Sequence, residues 1–223
     1  MDFWYSVAKS IVRSYLMVFT EGVQVNGVEN ITPGPKIIVA NHAYATDAFV
    51  LPFIFPEKLH FLIQEELFTL PILGRIIALA DQIPVTIGQG RDALRAARDR
   101  LAIGNSVVIF PEGHLNHGEA LRRAGSGAAI LAVQSGAPLL PLGIYVPDDF
   151  VKSIRGQFFN RTTLGSWQMH GRLFVTVGQP WLPQATEIAD RGYKSLREIT
   201  NRMMEQINQL MQQAQQMAQL RLK

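Results

Sequence analysis

Cysteine is absent from the 223 residues, which excludes disulfides, thiolate zinc sites and a cysteine nucleophile. Long apolar runs are missing too: no stretch reaches the roughly 18 uninterrupted apolar residues of a membrane-spanning helix. There is no internal repeat and no Gly-x-Ser-x-Gly elbow of the kind that carries a serine nucleophile. The first residues show neither a basic region ahead of an apolar core nor a small-residue cleavage site, so no signal peptide is expected. Charge is sparse, 17% of residues against 48% hydrophobic, the balance of a greasy globular chain with a sizeable core and one domain. The formal charge of +3 comes mostly from arginine and suits an anionic lipid surface or a phosphorylated substrate. Nucleic acid fits least, because no recognition helix, zinc spacing or aromatic-basic sheet motif is present.

What the chain does contain begins with an amphipathic stretch, Phe3-Trp4-Tyr5 through Tyr15-Leu16-Met17-Val18-Phe19. Lys9 and Arg13 interrupt it four residues apart, on one helical face. Residues 1–20 therefore read either as a helix lying in a membrane interface or as a helix packed on the core. Val23 to Val28 alternates and carries an Asn-Gly turn signal. Ile37 to Ala40 is a short buried strand, and Ala48 to Phe55 a short helix closed by Pro56. His60 to Ile63 reads as a strand, and Leu67 to Ala80 as one buried or interfacial helix, too short to span a bilayer.

Farther on, Gln82 to Ile87 reads as a strand, Asp92 to Ile103 as an arginine-rich helix and Ser106 to Phe110 as a strand. Leu121 to Gln134 reads as an alanine-rich helix and Pro138 to Val146 as a strand. Residues 147–170 read as a less regular connection, and Leu173 to Val177 as the last strand. A closing helix runs from about Tyr193 to Leu220. Its apolar positions Leu196, Ile199, Met203, Ile207, Leu210, Ala214 and Met217 fall at intervals of three and four, a pattern that either pairs with another helix or, in the favoured reading, packs on the same domain before running into solvent. Strands alternating with helices define an α/β domain over 21–192, with a mixed, mostly parallel central sheet flanked by helices; 193–223 belongs to it. Ligand sites in such sheets lie beyond the carboxyl ends of the strands.

Two stretches at such ends carry chemistry. Asn41-His42-Ala43-Tyr44-Ala45-Thr46-Asp47 follows the strand Ile37–Ala40 and sets a histidine five residues before a carboxylate. Asp47 accepting from one ring nitrogen of His42 leaves the other basic; alone, the stretch also reads as a helix cap. Phe110-Pro111-Glu112-Gly113 follows the strand Ser106–Phe110. Together, Asn-His, four residues and Asp, then Phe-Pro-Glu-Gly, resemble the glycerolipid acyltransferase superfamily, best known for acylating lysophosphatidate. Ala137-Pro138-Leu139-Leu140-Pro141-Leu142 is similar to the family's fourth block, and Val177-Gly178-Gln179-Pro180 to a turn after its next strand. The likeness runs from about residue 22 to 182.

The resemblance implies O-acyl transfer in phospholipid biosynthesis or remodelling, from acyl-CoA or acyl-carrier protein as co-substrate to the hydroxyl of a lysophospholipid or glycerophosphate-type acceptor. Lysophosphatidate leads. It also implies His42 and Asp47 as catalytic residues, with Asn41, Glu112, Gly113, His114 and Pro138 at the substrate. No cofactor or metal is implied. The expected location is the cytoplasmic face of a membrane, peripheral or monotopic. Three cationic positions of the family pattern are altered: Ile87 stands where an arginine is usual, His114-Leu115-Asn116 replaces Thr-Arg-Ser, and Gly125 stands for a lysine. Phosphate is normally held by arginine or lysine. One alternative is that the counter-charge for a phosphate comes from Arg75, Arg91, Arg122 or Arg123, or its hydrogen bonds from backbone N–H groups at Gly88-Gln89-Gly90. Otherwise the acceptor is a glycolipid, an aminolipid or another lyso-lipid.

The remaining readings are a non-catalytic lipid-binding relative and a hydrolase that passes the acyl group to water. Gly88 to Ala93 also fits a dinucleotide fingerprint, but it lies mid-chain and its acid belongs to the Phe-Pro-Glu-Gly block. His114 and His117 with Glu119 lack a third ligand at a diagnostic interval. His60 reads as a core residue and His170 has no readable role. Lys152, Arg155, Phe158, Phe159, Arg161 and Trp167 mix basic and aromatic side chains on a connection, either touching headgroups or bordering the acyl-donor entrance, or forming a partly exposed hairpin with ordinary surface arginines.

Overall fold

The computed structural model describes residues 2–86, 88–118, 121, 123–158, 161–183 and 193–221. Ile37–Ala40 (β2) is buried at every position, as a strand covered on both faces must be. Its side chains divide by the two-residue period of a strand. Ile38 and Ala40 join one core with Leu16, Val50, Leu51 and Phe55, whereas Ile37 and Val39 join another with Ala97, Leu131, Met203 and Ile207. Each such fully buried aliphatic side chain contributes about 1.5–3 kcal/mol of transfer free energy.

Around β2 the strands are Val23–Asn26 (β1), Leu59–Gln64 (β3), Ile83–Val85 (β4), Ser106–Ile109 (β5), Leu139–Tyr145 (β6) and Leu173–Val177 (β9). They form one seven-stranded sheet in the order β1-β9-β6-β2-β5-β3-β4. β6, β2, β5, β3 and β4 run parallel. β9 is antiparallel to β6, and β1 lies parallel to β9. The expected mixed, mostly parallel sheet is the one observed. Phe3–Phe19 (α1) and Asp47–Ile54 (α2) sit on the first face; Gly90–Ala102 (α4), Gly127–Ser135 (α5) and Tyr193–Arg221 (α6) sit on the second.

The closing helix α6 stays on the domain almost to its end. Ile199, Met203, Ile207, Ala214 and Ala218 are buried, and of its described large apolar side chains only Leu220 is strongly exposed. It crosses β6 so closely that a Cβ on Gly143 would lie 2.0 Å from the backbone nitrogen of Met211. Glycine is the residue that permits this approach.

Several local expectations give way to tertiary context. The Asn-Gly signal at Gly27 (φ 79°) makes one turn of 3-10 helix, Val28–Asn30, rather than a hairpin, because β1 pairs with distant β9. The single helix expected over Leu67–Ala80 is two pieces, a 3-10 segment Glu65–Thr69 and Leu73–Leu79 (α3). Pro71 forces Leu70 into extended backbone (ψ 136°), as a residue before proline requires. The helix expected from Leu121 begins only at Gly127. Gly125 instead donates its N–H to the Pro111 carbonyl at 3.2 Å, which ties that segment to the site. The connection over 147–170 is regular: Val151–Phe158 (β7) and Arg161–Gln168 (β8) pair antiparallel along their whole length.

Candidate active site

His42 leaves the carboxyl end of β2, and Asp47 opens α2, where a carboxylate faces the positive end of the helix. The chain between them turns back on itself. The Tyr44 N–H donates to Asp47 Oδ2 at 2.7 Å, and the same oxygen lies 3.4 Å from His42 Nδ1. Asp47 is fully buried. Burial pushes its carboxyl above the ordinary carboxylate range, opposed by the contact with His42 and by the N–H groups of Tyr44 and Ala43. The His42 ring is half-buried and lies against Phe110, centroids 4.0 Å apart and planes 14° from parallel. With Nδ1 turned to Asp47 and one ring face covered, the edge carrying Nε2 remains for a substrate hydroxyl.

The loop after β5 supplies the other wall. Glu112 Oε1 accepts the backbone N–H of His42 at 2.9 Å, and Oε2 accepts from Asn116 Nδ2 at 2.9 Å. Residues 116 and 117 run beside 42 and 43: the Asn116 N–H donates to the His42 carbonyl at 2.9 Å and the His117 N–H to the Ala43 carbonyl at 3.0 Å. A third wall comes from the β7–β8 hairpin. The Ser166 carbonyl accepts the Ala45 N–H at 2.9 Å, and Ser166 Oγ lies 3.0 Å from His117 Nδ1. Tyr44 donates its hydroxyl to Asp148 Oδ1 at 2.6 Å, and burial pushes that phenol well above its ordinary range.

His42, Asp47 and Glu112 are thus brought together. Other expected site residues are placed differently. Asn41 is buried with both ends of its amide on the Ile144 backbone, donating to the carbonyl at 2.8 Å and accepting the N–H at 2.7 Å. It is a strut between β2 and β6, because a buried amide satisfies itself where backbone groups are at hand. Gly113 (φ 74°) spends its N–H on the Phe110 carbonyl at 3.0 Å, closing a turn rather than facing an oxyanion. Pro138 precedes β6, and its carbonyl accepts the Ile37 N–H. It therefore lies at the opposite end of the sheet from His42.

His114, Gly88, Arg75, Arg91 and Arg123 are exposed. Arg122, Ile87 and Glu119 lie outside the described residues, as does Phe159. Among the described residues no group of three or more histidine, aspartate or glutamate side chains is arranged to hold a metal. His60 is buried, with Nδ1 on the Asp81 carbonyl at 2.7 Å, and burial lowers its pKa. His170 packs on Phe150, with centroids 4.8 Å apart. Sequence reasoning missed Phe110, Asn116 and Ser166. Only Phe110 had a signal, as the first residue of its block.

A histidine and a buried carboxylate past one strand are thus met by a glutamate past a neighbouring strand. The acyltransferase family profile matches residues 22–145, and the chain belongs to that family. A 1-acyl-sn-glycerol-3-phosphate acyltransferase of Pseudomonas aeruginosa is 32% identical over 123 residues, 53% of this chain and 48% of the relative. A lyso-ornithine lipid O-acyltransferase of the same organism is 30% identical over 126 residues, 56% of this chain and 48% of the relative. The chain spans about half the length of the curated relatives it matches. The solved structure of the 1-acyl-sn-glycerophosphate acyltransferase PlsC from Thermotoga maritima superposes with a TM-score of 0.68 over 96% of this chain and 79% of that one, at 22% identity. That likeness is one of fold.

Proposed function

We propose that this protein transfers a fatty acyl group from a thioester, acyl-CoA or acyl-carrier protein, to the hydroxyl of a lyso-lipid acceptor. One observation carries the reading: the His42 ring, held by Asp47 at one nitrogen and by Phe110 on one face, leaves its second nitrogen available. In the reaction that nitrogen takes the acceptor's hydroxyl proton as the oxygen attacks the thioester carbonyl. A C–O bond forms, the C–S bond breaks, and the imidazolium returns the proton to the departing thiolate. Asp47 stabilises the imidazolium while it lasts. No covalent intermediate on the protein is required.

Lysophosphatidate leads as acceptor, supported by several relatives named as 1-acyl-sn-glycerol-3-phosphate acyltransferases. An aminolipid acceptor is favoured by a different observation. The family's cationic positions fall on Ile87, Leu115 and Gly125 here, and a relative named for lyso-ornithine lipid is among those matched. Purified protein assayed with acyl-CoA and acyl-carrier protein against lysophosphatidate, neutral and zwitterionic lyso-lipids decides between them. Turnover with lysophosphatidate alone excludes the aminolipid reading; free fatty acid released without acceptor indicates a hydrolase. Loss of transfer in His42→Ala, with the fold kept, is expected.

A membrane-surface location is supported by α1 and its neighbours. Phe3, Ile11, Met17 and Val18 on α1, Phe53 on α2 and Ile72 just before α3 are large apolar side chains with exposures of 47–76%. Beside them a depression of about 280 Å³ is lined by Lys9, Val12, Arg13 and Phe53. Neither Lys9 nor Arg13 forms a salt bridge among the described residues. Lys9 Nζ donates to the Phe55 carbonyl at 3.0 Å, and exposed apolar side chains beside two basic ones suit an anionic lipid interface. No described helix is long and apolar enough to cross a membrane.

A further inference from the structure

The peptide groups on both sides of His42 are held by one small ring of hydrogen bonds. Glu112 Oε1 takes the His42 N–H, Asn116 Nδ2 donates to Glu112 Oε2, and the Asn116 N–H returns to the His42 carbonyl, each at 2.9 Å. The Gly118 N–H donates to Asn116 Oδ1 at 3.0 Å. This bond fixes which end of the amide faces the carboxylate, since an N–H donor and a carboxylate together admit one orientation. Asn116 is 1% exposed, and its side chain makes no contact that a substrate would need.

We propose that Asn116 is a positioning residue for His42: a neutral amide that holds Glu112 against the His42 N–H and so sets the imidazole between Asp47 and the acceptor hydroxyl. Its consequence for turnover rests on the acyl-transfer reading; the ring itself does not. The amide group is what the position requires. It supplies a donor to Glu112 and an acceptor to Gly118 without adding charge. A carboxylate there would face Glu112 at hydrogen-bond distance, and two carboxylates that close do not both ionise.

That incompatibility supplies the test. Asn116→Asp has the shape of the native side chain, and with one shared proton it re-forms the ring. As pH rises and the proton leaves, the two acids repel and His42 is released. Asn116→Ala breaks the ring at every pH. The expected result for Asn116→Ala is a fall in kcat on the order of 10–100-fold, the scale of a small misplacement of a catalytic group, with the acceptor KM within about threefold. Asn116→Asp is expected to stay near wild type at the acid end of the profile and to lose activity through a titration step that wild type lacks. A purely structural role lowers the yield of folded enzyme in both and adds no such step.

Asn116→Asp carries the test alone if the alanine variant fails to fold. The inference is overturned if folded Asn116→Ala turns over within threefold of wild type, or if Asn116→Asp keeps the wild-type pH profile. A readout independent of turnover is the NMR titration of the His42 ring, assigned by its loss in His42→Gln. Its signals should follow the new step in Asn116→Asp, and unchanged signals refute the positioning role. Shifted His42 signals in a protein with no acyl transfer would overturn the functional reading and leave the ring standing.

Discussion

Asn41 grips Ile144 across the sheet with two hydrogen bonds, amide to carbonyl at 2.8 Å and N–H to amide oxygen at 2.7 Å. The residue before His42 is thereby bolted to the end of β6, and the position of His42 depends on the pairing of β2 with β6. Asn41→Ala leaves a buried N–H and a buried carbonyl without partners. At about 1–3 kcal/mol for each unsatisfied group, the expected loss is on the order of 2–4 kcal/mol by urea denaturation. A variant as stable as wild type would show that the clamp contributes little.

Asp47 poses stability against activity. Burial raises its carboxyl pKa in the folded protein, so the native state binds this proton more tightly than the unfolded chain. Its contribution to stability is present below the unfolded value and declines as pH rises through the folded one. Asp47→Asn keeps an acceptor for the Tyr44 N–H and removes that decline. The stability of Asp47→Asn relative to wild type should therefore grow between about pH 4, the ordinary carboxylate value, and neutrality. Acyl transfer should fall on the order of 10²–10⁴-fold. Denaturation curves at several pH values check the first part, and a difference that shrinks with pH contradicts it.

Gly143 marks where α6 lies on β6. A methyl group there meets backbone atoms of Leu210 and Met211 at 2.0–2.6 Å, which do not move aside as a side chain would. Gly143→Ala is expected to cost about 3 kcal/mol or more, at the upper end of overpacking effects. Thermal unfolding measures it; an unchanged Tm would mean that the helix shifts freely over the strand.

Lys9 and Arg13 give the membrane proposal a direct test. Each cation near an anionic surface is worth about 1 kcal/mol, so Lys9→Gln with Arg13→Gln should weaken binding to phosphatidylglycerol-containing vesicles roughly 30-fold. Binding to purely zwitterionic vesicles should change little. Added salt should reproduce the effect in wild type. Equal binding of the double variant to both vesicle types would remove the cations from the account.

The parts legible in the sequence were those governed by local pattern. Leu173–Val177 was read to the residue, and the helix from Tyr193 was read from intervals of three and four whose residues do turn inward. Asp47 at a helix start and His42 past a strand follow from the same rules. What escaped were relationships between segments far apart in the chain. The β7–β8 segment carries little apolar alternation and reads as a less regular connection or a partly exposed hairpin, and no local pattern shows that its Ser166 carbonyl accepts the Ala45 N–H. Asn41 read as a substrate residue because nothing local reveals that Ile144 lies beside it.

By itself the sequence determined the candidate chemistry: His42, Asp47 and Glu112 stand in order just past strands, because short apolar runs terminate in polar turns. The tertiary structure alone decided how that chemistry is held. Sheet order sets β6 on one side of β2 and β5 on the other. That order assigns Asn41 to Ile144, Glu112 to the His42 N–H, and Pro138 to the far end of the sheet. Hydrogen bonds between residues about 70 to 100 positions apart depend on which strands become neighbours, a choice made by burial on both sheet faces and not by any local pattern.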